Sequence, residues 1–289
     1  MSTEASVPTM GRAASFWRLL HPVPSLLTVV AAGAFVLLAA RGLPPPGRLL
    51  HLLAIETAMQ FSISAFNDYF DRKVDAGRAD KPVASGLVTP REALAVGAVL
   101  GVLALLLAAL AGPWVALLTA TGFAGGLLYD AGLKYTALSW LPFVVAFPTL
   151  PLWAWAGAAP DGQIPARLWW AVPVIAVTVV GVHMADTIPD LQTDTDAGVR
   201  GLAHRLGLKG SLALCWGAFA AALLLTLALS AILPYNTTWY VPGAVAGGLL
   251  VAGGILLYLR DPSKVRVMSL LLEVGAIAIA VGWLAGITL

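Results

Sequence analysis

Nine stretches of this chain stay apolar for long enough to cross a bilayer. They run over roughly 24–40, 48–67, 92–111, 113–129, 137–157, 168–187, 211–233, 241–259 and 267–287. Each is close to the ~20 residues a helix needs to traverse about 30 Å of hydrocarbon. Short polar loops separate them, so the pattern predicts an all-α integral membrane protein with nine transmembrane helices. Gly112-Pro113 alone parts the third stretch from the fourth, which predicts a tight helical hairpin. Pro142, Pro148 and Pro151 interrupt the fifth, where a kink is expected. Residues 1–15 are small and polar, and no small-residue cleavage site follows the first apolar run, so that run is expected to be retained as a span.

Two acidic segments break the apolar pattern. Asn67-Asp68-Tyr69-Phe70-Asp71-Arg72-Lys73-Val74-Asp75 closes the second stretch, and Asp186-Thr187-Ile188-Pro189-Asp190-Leu191-Gln192-Thr193-Asp194 closes the sixth. Asn67, Asp71 and Asp75 recur every fourth residue, and so do Asp186, Asp190 and Asp194. On a helix that step puts side chains on one face, one turn apart.

Composition sharpens this picture. The chain has 289 residues, of which 59% are hydrophobic and 11% charged. That balance overrides the two soluble domains its length alone would suggest, and residues 1–289 are expected to form a single transmembrane domain. A net charge of +2 is too small to argue for a nucleic-acid partner. The lone Cys215 lies in an apolar run and reads as a small packing residue. No Cys/His cluster with metal-ligand spacing, Ser-His-Asp arrangement or phosphate-binding Gly-Lys-Thr loop is present.

The basic residues orient the chain. With the N-terminus in the cytosol, Arg41, Arg48 and Arg167 are the Lys and Arg residues left outside; the remaining fourteen of the seventeen fall inside. An odd number of spans with a cytosolic N-terminus follows. Both acidic segments then lie on the cytosolic side.

If the ends of the second and sixth spans are adjacent, Asp68, Asp71, Asp75, Asp186, Asp190 and Asp194 crowd one end of a bundle. At about 6 Å and an effective dielectric near 20, each like-charge pair costs about 3 kcal/mol. Bound cations would relieve this. Magnesium suits the donors, since it accepts one or two carboxylates, keeps waters and shares its remaining positions with phosphate oxygens. Asn67 adds a neutral oxygen. Arg78, Lys81, Lys134 and Arg205 lie in loops that would cover such a site and could clamp phosphoryl oxygens. Arg260, Lys264 and Arg266 read as topology signals instead.

The residues also carry a resemblance. Asn67 to Asp75, followed by Arg78, Lys81-Pro82 and Ser85-Gly86, resembles the first signature of the UbiA superfamily of intramembrane prenyltransferases. Asp186 to Asp194, followed by Gly198, Arg200 and Leu206-Gly207, resembles its second. Tyr129 with Leu133-Lys134 is similar to a shorter motif between the fourth and fifth spans. The resemblance implies nine helices around a central lipid-accessible chamber capped by cytosolic loops, in the cytoplasmic membrane of a prokaryote. It implies magnesium-dependent transfer of a prenyl chain from a polyprenyl diphosphate to an aromatic or other lipid acceptor, as in quinone biosynthesis. Carried over by position, Asn67, Asp68, Asp71, Asp75, Asp186, Asp190 and Asp194 form the magnesium–diphosphate site, with Asn67, Asp71 and Asp190 catalytic. Arg78, Lys81, Tyr129 and Lys134 contact diphosphate. His21-Pro22 stands where the family often has Arg-Pro, Lys81-Pro82 where Arg-Pro is also frequent, and Gly201 where threonine is common. These departures bear on the acceptor.

The expected chemistry is ionisation of the allylic C–O bond, with Phe66, Tyr69 or Phe70 as candidates to steady the carbocation by ~0.5–2 kcal/mol. Glu56, His183 and Glu273 are buried polar candidates without an assigned role. Two other readings use the same residues. A terpene cyclase would ionise a prenyl diphosphate without an acceptor, and a divalent-cation transporter would carry its carboxylates nearer mid-membrane.

Overall fold

The structure is a computed structural model that describes residues 11–196, 198–234 and 236–288. Of the polar N-terminal stretch, residues 1–10 lie outside the described residues. A short helix α1 (Arg12–Leu19), which the apolar pattern does not predict, leads into α2 (Pro22–Ala39). Between them His21 takes a left-handed conformation (φ 43°), so the chain turns sharply as it starts its first long helix.

The long helices begin and end where the sequence punctuates them. Pro46 opens α3 (Pro46–Asp71). A capping box joins Thr89 and Glu92 at the start of α4 (Pro90–Ala111), satisfying donors that a helix start otherwise leaves orphaned. Gly112, at φ 133°, links α4 to α5 (Pro113–Ala131) as the expected hairpin. The expected kink is a break: α6 (Leu141–Ala146) gives way to α7 (Thr149–Ala158) around Pro148. Then follow α8 (Ala171–Thr187), the short α9 (Leu191–Asp196), α10 (Leu202–Leu229), α11 (Thr237–Arg260) and α12 (Val265–Thr288).

Among the described residues eight helical segments are long and apolar enough to cross a membrane. The expectation of nine differs at 113–129. That stretch is helical as α5, but it falls short of the same standard, carrying Thr119, Thr121 and Asp130 along its 19 residues.

Helix α3 packs on α2, α4 and α5, while α8 packs on α10 and α12; α2 against α12 and α6 against α8 join the two sets into a ring. Lipid is as apolar as leucine, so close packing rather than exclusion from water holds such helices together. Small residues make this possible. A Cβ on Gly243 would stand 2.6 Å from the Gly282 Cα, and one on Gly247 2.6 Å from the Gly275 carbonyl, so α11 and α12 meet backbone to backbone. Gly248 and Gly253 face open space instead. Leucines such as Leu106, Leu110, Leu224 and Leu249 point outward, as a lipid-facing surface requires.

Candidate active site

Both acidic segments lie where a helix loses its regularity. Helix α3 stops at Asp71, but the Asp75 amide still donates to the Asp71 carbonyl at 2.8 Å, which prolongs the four-residue step by one turn. In the second segment Pro189 lacks an N–H. The chain narrows to a 3-10 turn over Ile188–Asp190 before α9 resumes, so Asp186, Asp190 and Asp194 do not share one unbroken helix.

The two segments nevertheless line one cavity of about 600 Å³. Asn67, Asp71 and Asp75 contribute from one side and Asp186, Asp190 and Asp194 from the other, with Arg78, Lys81, Tyr129 and Lys134 around them. Below this polar end the wall is mostly apolar, formed by residues such as Leu27, Phe35, Phe147, Ile175, Ile279 and Trp283. Of the residues that the resemblance assigns to magnesium and diphosphate, Asp68 is the one that does not line the cavity. Its carboxylate is buried and accepts from His21 Nε2 at 2.7 Å and Lys81 Nζ at 3.2 Å.

Lysines tie the first segment together. Lys134 Nζ lies 2.6 Å from Asp71 and 3.3 Å from Asp130. Tyr135 donates its hydroxyl to Asp71 at 2.7 Å. Burial first, and then that hydrogen bond, hold the Tyr135 phenol above its usual range, so it remains a donor. Lys81 reaches Asp75 at 3.7 Å and Arg78 reaches it at 3.4 Å. Burial outweighs these two cations and lifts the Asp75 carboxyl above the ordinary carboxylate range. Arg78 also holds Asp80 below that range through a 2.9 Å hydrogen bond.

The second segment is less provided for. Asp186 has no hydrogen-bond or ion-pair partner among the described residues. Asp194 has only His204, at 3.9 Å. Asp190 pairs with Arg266 at 2.5 Å, at a partly exposed position. Arg266, read from sequence as a topology signal, thus also meets a proposed site carboxylate, while Arg205 turns to the Arg200 carbonyl and does not line the cavity.

Other residues were not visible in the pattern. Asp130 is buried and accepts from Asn67 Nδ2 at 2.7 Å, which orients the amide. Its spacing of four from Lys134 within an apolar stretch is the signal that could have found it. The expectation for Phe66, Tyr69 and Phe70 is corrected: none of the three lines the cavity. Phe66 packs on Gly97 and Phe123, Tyr69 packs beside Val83, and Phe70 is exposed. They flank the acids in sequence, and a helix turns such neighbours away. Aromatic residues that do line the cavity include Tyr129, Phe143 and Phe147. Tyr129 stands edge-on to Phe143 at 5.1 Å, and Phe143 stacks on Phe147 at 5.6 Å.

His183 accepts or donates at Ser139 Oγ (3.0 Å), and that oxygen also accepts from the Leu202 amide at 3.0 Å. This junction brings the loop after the second segment onto the loop carrying Lys134. Gly201 is needed there, since a Cβ would lie 2.6 Å from the Lys134 carbonyl.

The donors fit a hard divalent ion. They are carboxylate and amide oxygens, yet among the described residues no three acidic, histidine or cysteine side chains are gathered closely enough to hold an ion alone. An ion here would complete its shell with water or phosphate oxygens, the ordinary habit of magnesium.

Comparison with known proteins agrees with this geometry. Residues 25–272 match the UbiA prenyltransferase family. A 4-hydroxybenzoate octaprenyltransferase of Shewanella amazonensis is 29% identical over 197 residues, an alignment that covers 66% of each chain. A digeranylgeranylglyceryl phosphate synthase structure superposes with a TM-score of 0.71 at 16% identity, over 96% of this chain and 99% of that one. A UbiA homolog from Archaeoglobus fulgidus bound to GPP and Mg2+ gives 0.68 at 16% identity, over 92% and 99%. The last two likenesses are of fold.

Proposed function

The chain belongs to the UbiA prenyltransferase family, and from that premise we propose that it transfers a polyprenyl group within the membrane. The donor is a polyprenyl diphosphate and the acceptor an aromatic or other lipid molecule; an allylic carbocation forms and diphosphate is released. One observation carries this reading: two acidic segments far apart in sequence line the polar end of a cavity whose remaining walls are apolar. A diphosphate head and a hydrocarbon tail need those two environments in that order. The Archaeoglobus homolog bound to GPP and Mg2+ supports the donor, and the Shewanella relative supports the transfer.

In this proposal Asn67, Asp71, Asp75, Asp186, Asp190 and Asp194 hold magnesium, with Asp68 acting through Lys81 and His21. Bound magnesium supplies Lewis acidity, worth several kcal/mol as charge gathers on the leaving oxygen. Lys81, Lys134 and Arg78 offer charged donors to phosphoryl oxygens. The Tyr129 hydroxyl, with no hydrogen bond to protein among the described residues, offers a neutral one. Phe143 and Phe147 present faces where the carbocation would pass. We also read residues 1–289 as a single prenyltransferase domain in the cytoplasmic membrane, with nine spans, a cytosolic N-terminus and the acidic end facing the cytosol.

The test is to incubate the purified chain with magnesium, polyprenyl diphosphates of several lengths and a panel of acceptors, and identify products by mass spectrometry. Prenylated acceptor and stoichiometric diphosphate are expected, both abolished by chelator. Release of hydrocarbon or terpene alcohol irrespective of acceptor would instead identify a cyclase.

A further inference from the structure

Glu273 is a carboxyl group that nothing in the proposed diphosphate site uses. It lines the same cavity from α12. Its depth follows from a neighbour one turn earlier: Ser269 Oγ donates to the Ala185 carbonyl at 2.6 Å, next to Asp186. Four residues on, Glu273 is one turn further from the acidic end and on the same helix face. No hydrogen bond or ion pair holds it among the described residues. Glu56, another carboxyl buried in a long helix, does not line the cavity and accepts from Gln60 at 2.8 Å.

The cations have the opposite distribution. Among the described residues lining the cavity, the Lys and Arg side chains are Arg78, Lys81 and Lys134, all at the acidic end and all bound to carboxylates. His21 is taken by Asp68. An acceptor bearing a carboxylate would therefore bring a second negative charge beside Glu273, in apolar surroundings, with no free cation to meet it; burying an unpaired charge is costly. A neutral hydroxyl has the matching chemistry, because it donates to a carboxylate.

We propose that Glu273 receives the hydroxyl of an uncharged acceptor and takes the proton that prenylation releases. The donor's C–O bond breaks with its electron pair leaving on diphosphate. A bond forms from the prenyl carbon to the acceptor's oxygen, or to a ring carbon made electron-rich by it. The proton lost from that oxygen or ring carbon passes to the Glu273 carboxylate and from there to water or diphosphate. This rests on the prenyltransferase reading and narrows its acceptor class.

Geranyl diphosphate, magnesium and three acceptors test it: 4-hydroxybenzoate, its uncharged methyl ester, and dodecanol. In the parent chain one of the neutral probes should be prenylated at least tenfold faster than the acid. Glu273→Gln should bind geranyl diphosphate with magnesium as the parent does, yet lose about 100-fold in product formation, within the range for removal of a general base. Glu273→Asp should recover part of it. Preference for the acid, no product from any of the three, Glu273→Gln within threefold of the parent, or loss of diphosphate binding in that variant would each overturn the proposal. Failure of the parent to bind geranyl diphosphate with magnesium would overturn the prenyltransferase reading, and this one with it.

Discussion

Around the first acidic segment, Asp71 and Asp75, which reach the cavity, already have partners in the protein. Asp71 has Lys134 and Tyr135, and Asp75 has Arg78 and Lys81. Behind them Asp68 has His21 and Lys81, and Asp130 has Asn67 and Lys134. Around the second segment Asp186 has none among the described residues, Asp194 has a distant histidine, and Asp190 has a largely exposed arginine. The fold thus neutralises one wall with its own cations and leaves the other to whatever binds. The bare wall offers unpaired carboxylates to a cation, and the lysines of the other offer donors to a polyanion. The difference sets the two segments apart electrostatically despite their matching four-residue steps.

The sharpest way to break that division is to remove one carboxylate from each wall. Asp71→Ala and Asp190→Ala should each cost nearly 10⁴-fold in turnover, about 5 kcal/mol of transition-state stabilisation. Their stabilities should part company. Asp71→Ala frees Lys134 from one partner and should lower thermal stability, whereas Asp190→Ala removes a like charge from a bare cluster and should leave it unchanged or raised. Activity assays with thermal unfolding in detergent check both halves; equal stability losses would mean that the walls are not different in kind.

Lys134→Met probes the neutralised wall directly. The side chain is 9% exposed and stands between Asp71 and Asp130, so its removal leaves the half-buried Asp71 and the buried Asp130 facing each other. Breaking a buried pair from one side costs about 3–5 kcal/mol. A loss of that size in unfolding free energy is expected, together with weakened diphosphate binding. Restoring stability by adding Asp130→Asn to Lys134→Met would sharpen the assignment, because it removes one of the stranded charges.

How far the sequence foretells all this depends on what kind of signal each residue leaves. A polar or charged group at the end of an apolar run is expensive and therefore conspicuous, so Asn67, Asp71, Asp75, Asp186, Asp190 and Asp194 stood out by their spacing. The helix ends were equally legible, since Pro and Gly act locally: Gly112-Pro113 and Pro148 break the chain where they stand. Partnerships across the bundle leave no such mark. Asp68 belongs with His21, Arg266 with Asp190, and Asn67 with Asp130, each joined by folding rather than by spacing. The aromatic residues failed for a geometric reason. Phe66, Tyr69 and Phe70 are next to the acids along α3, but the aromatic residues that reach the cavity come from other elements, among them Tyr129 on α5, Phe143 on α6 and Phe147 just beyond it.

The two walls are joined where Gly201 lies against the Lys134 carbonyl, and Gly201→Ala strains that seam. The new Cβ would sit 2.6 Å from a backbone oxygen, which cannot swing aside as a side-chain tip could. Overpacking of this kind costs about 1–3 kcal/mol. The expected readout is a stability loss in that range with a further drop in activity, because Lys134 and the Ser139–Leu202 hydrogen bond move together. A variant with parental activity would show that the walls need not be held in register.

Arg266→Ala should do least. Its guanidinium is the strongest partner the second segment has, at 2.5 Å from Asp190, yet its side chain is 69% exposed. An exposed ion pair contributes roughly 0–1 kcal/mol and is screened by salt. A change of about 0.5 kcal/mol or less in stability is expected, with turnover within threefold of the parent at 0.15 M salt. The small size is informative because Lys134 and Arg266 make ion pairs of similar length, to Asp71 and Asp190. If burial rather than distance sets the strength of a pair, the first substitution must cost several times the second. Equal costs would mean that Arg266 neutralises the second wall as Lys134 neutralises the first, and that the site is electrostatically symmetric.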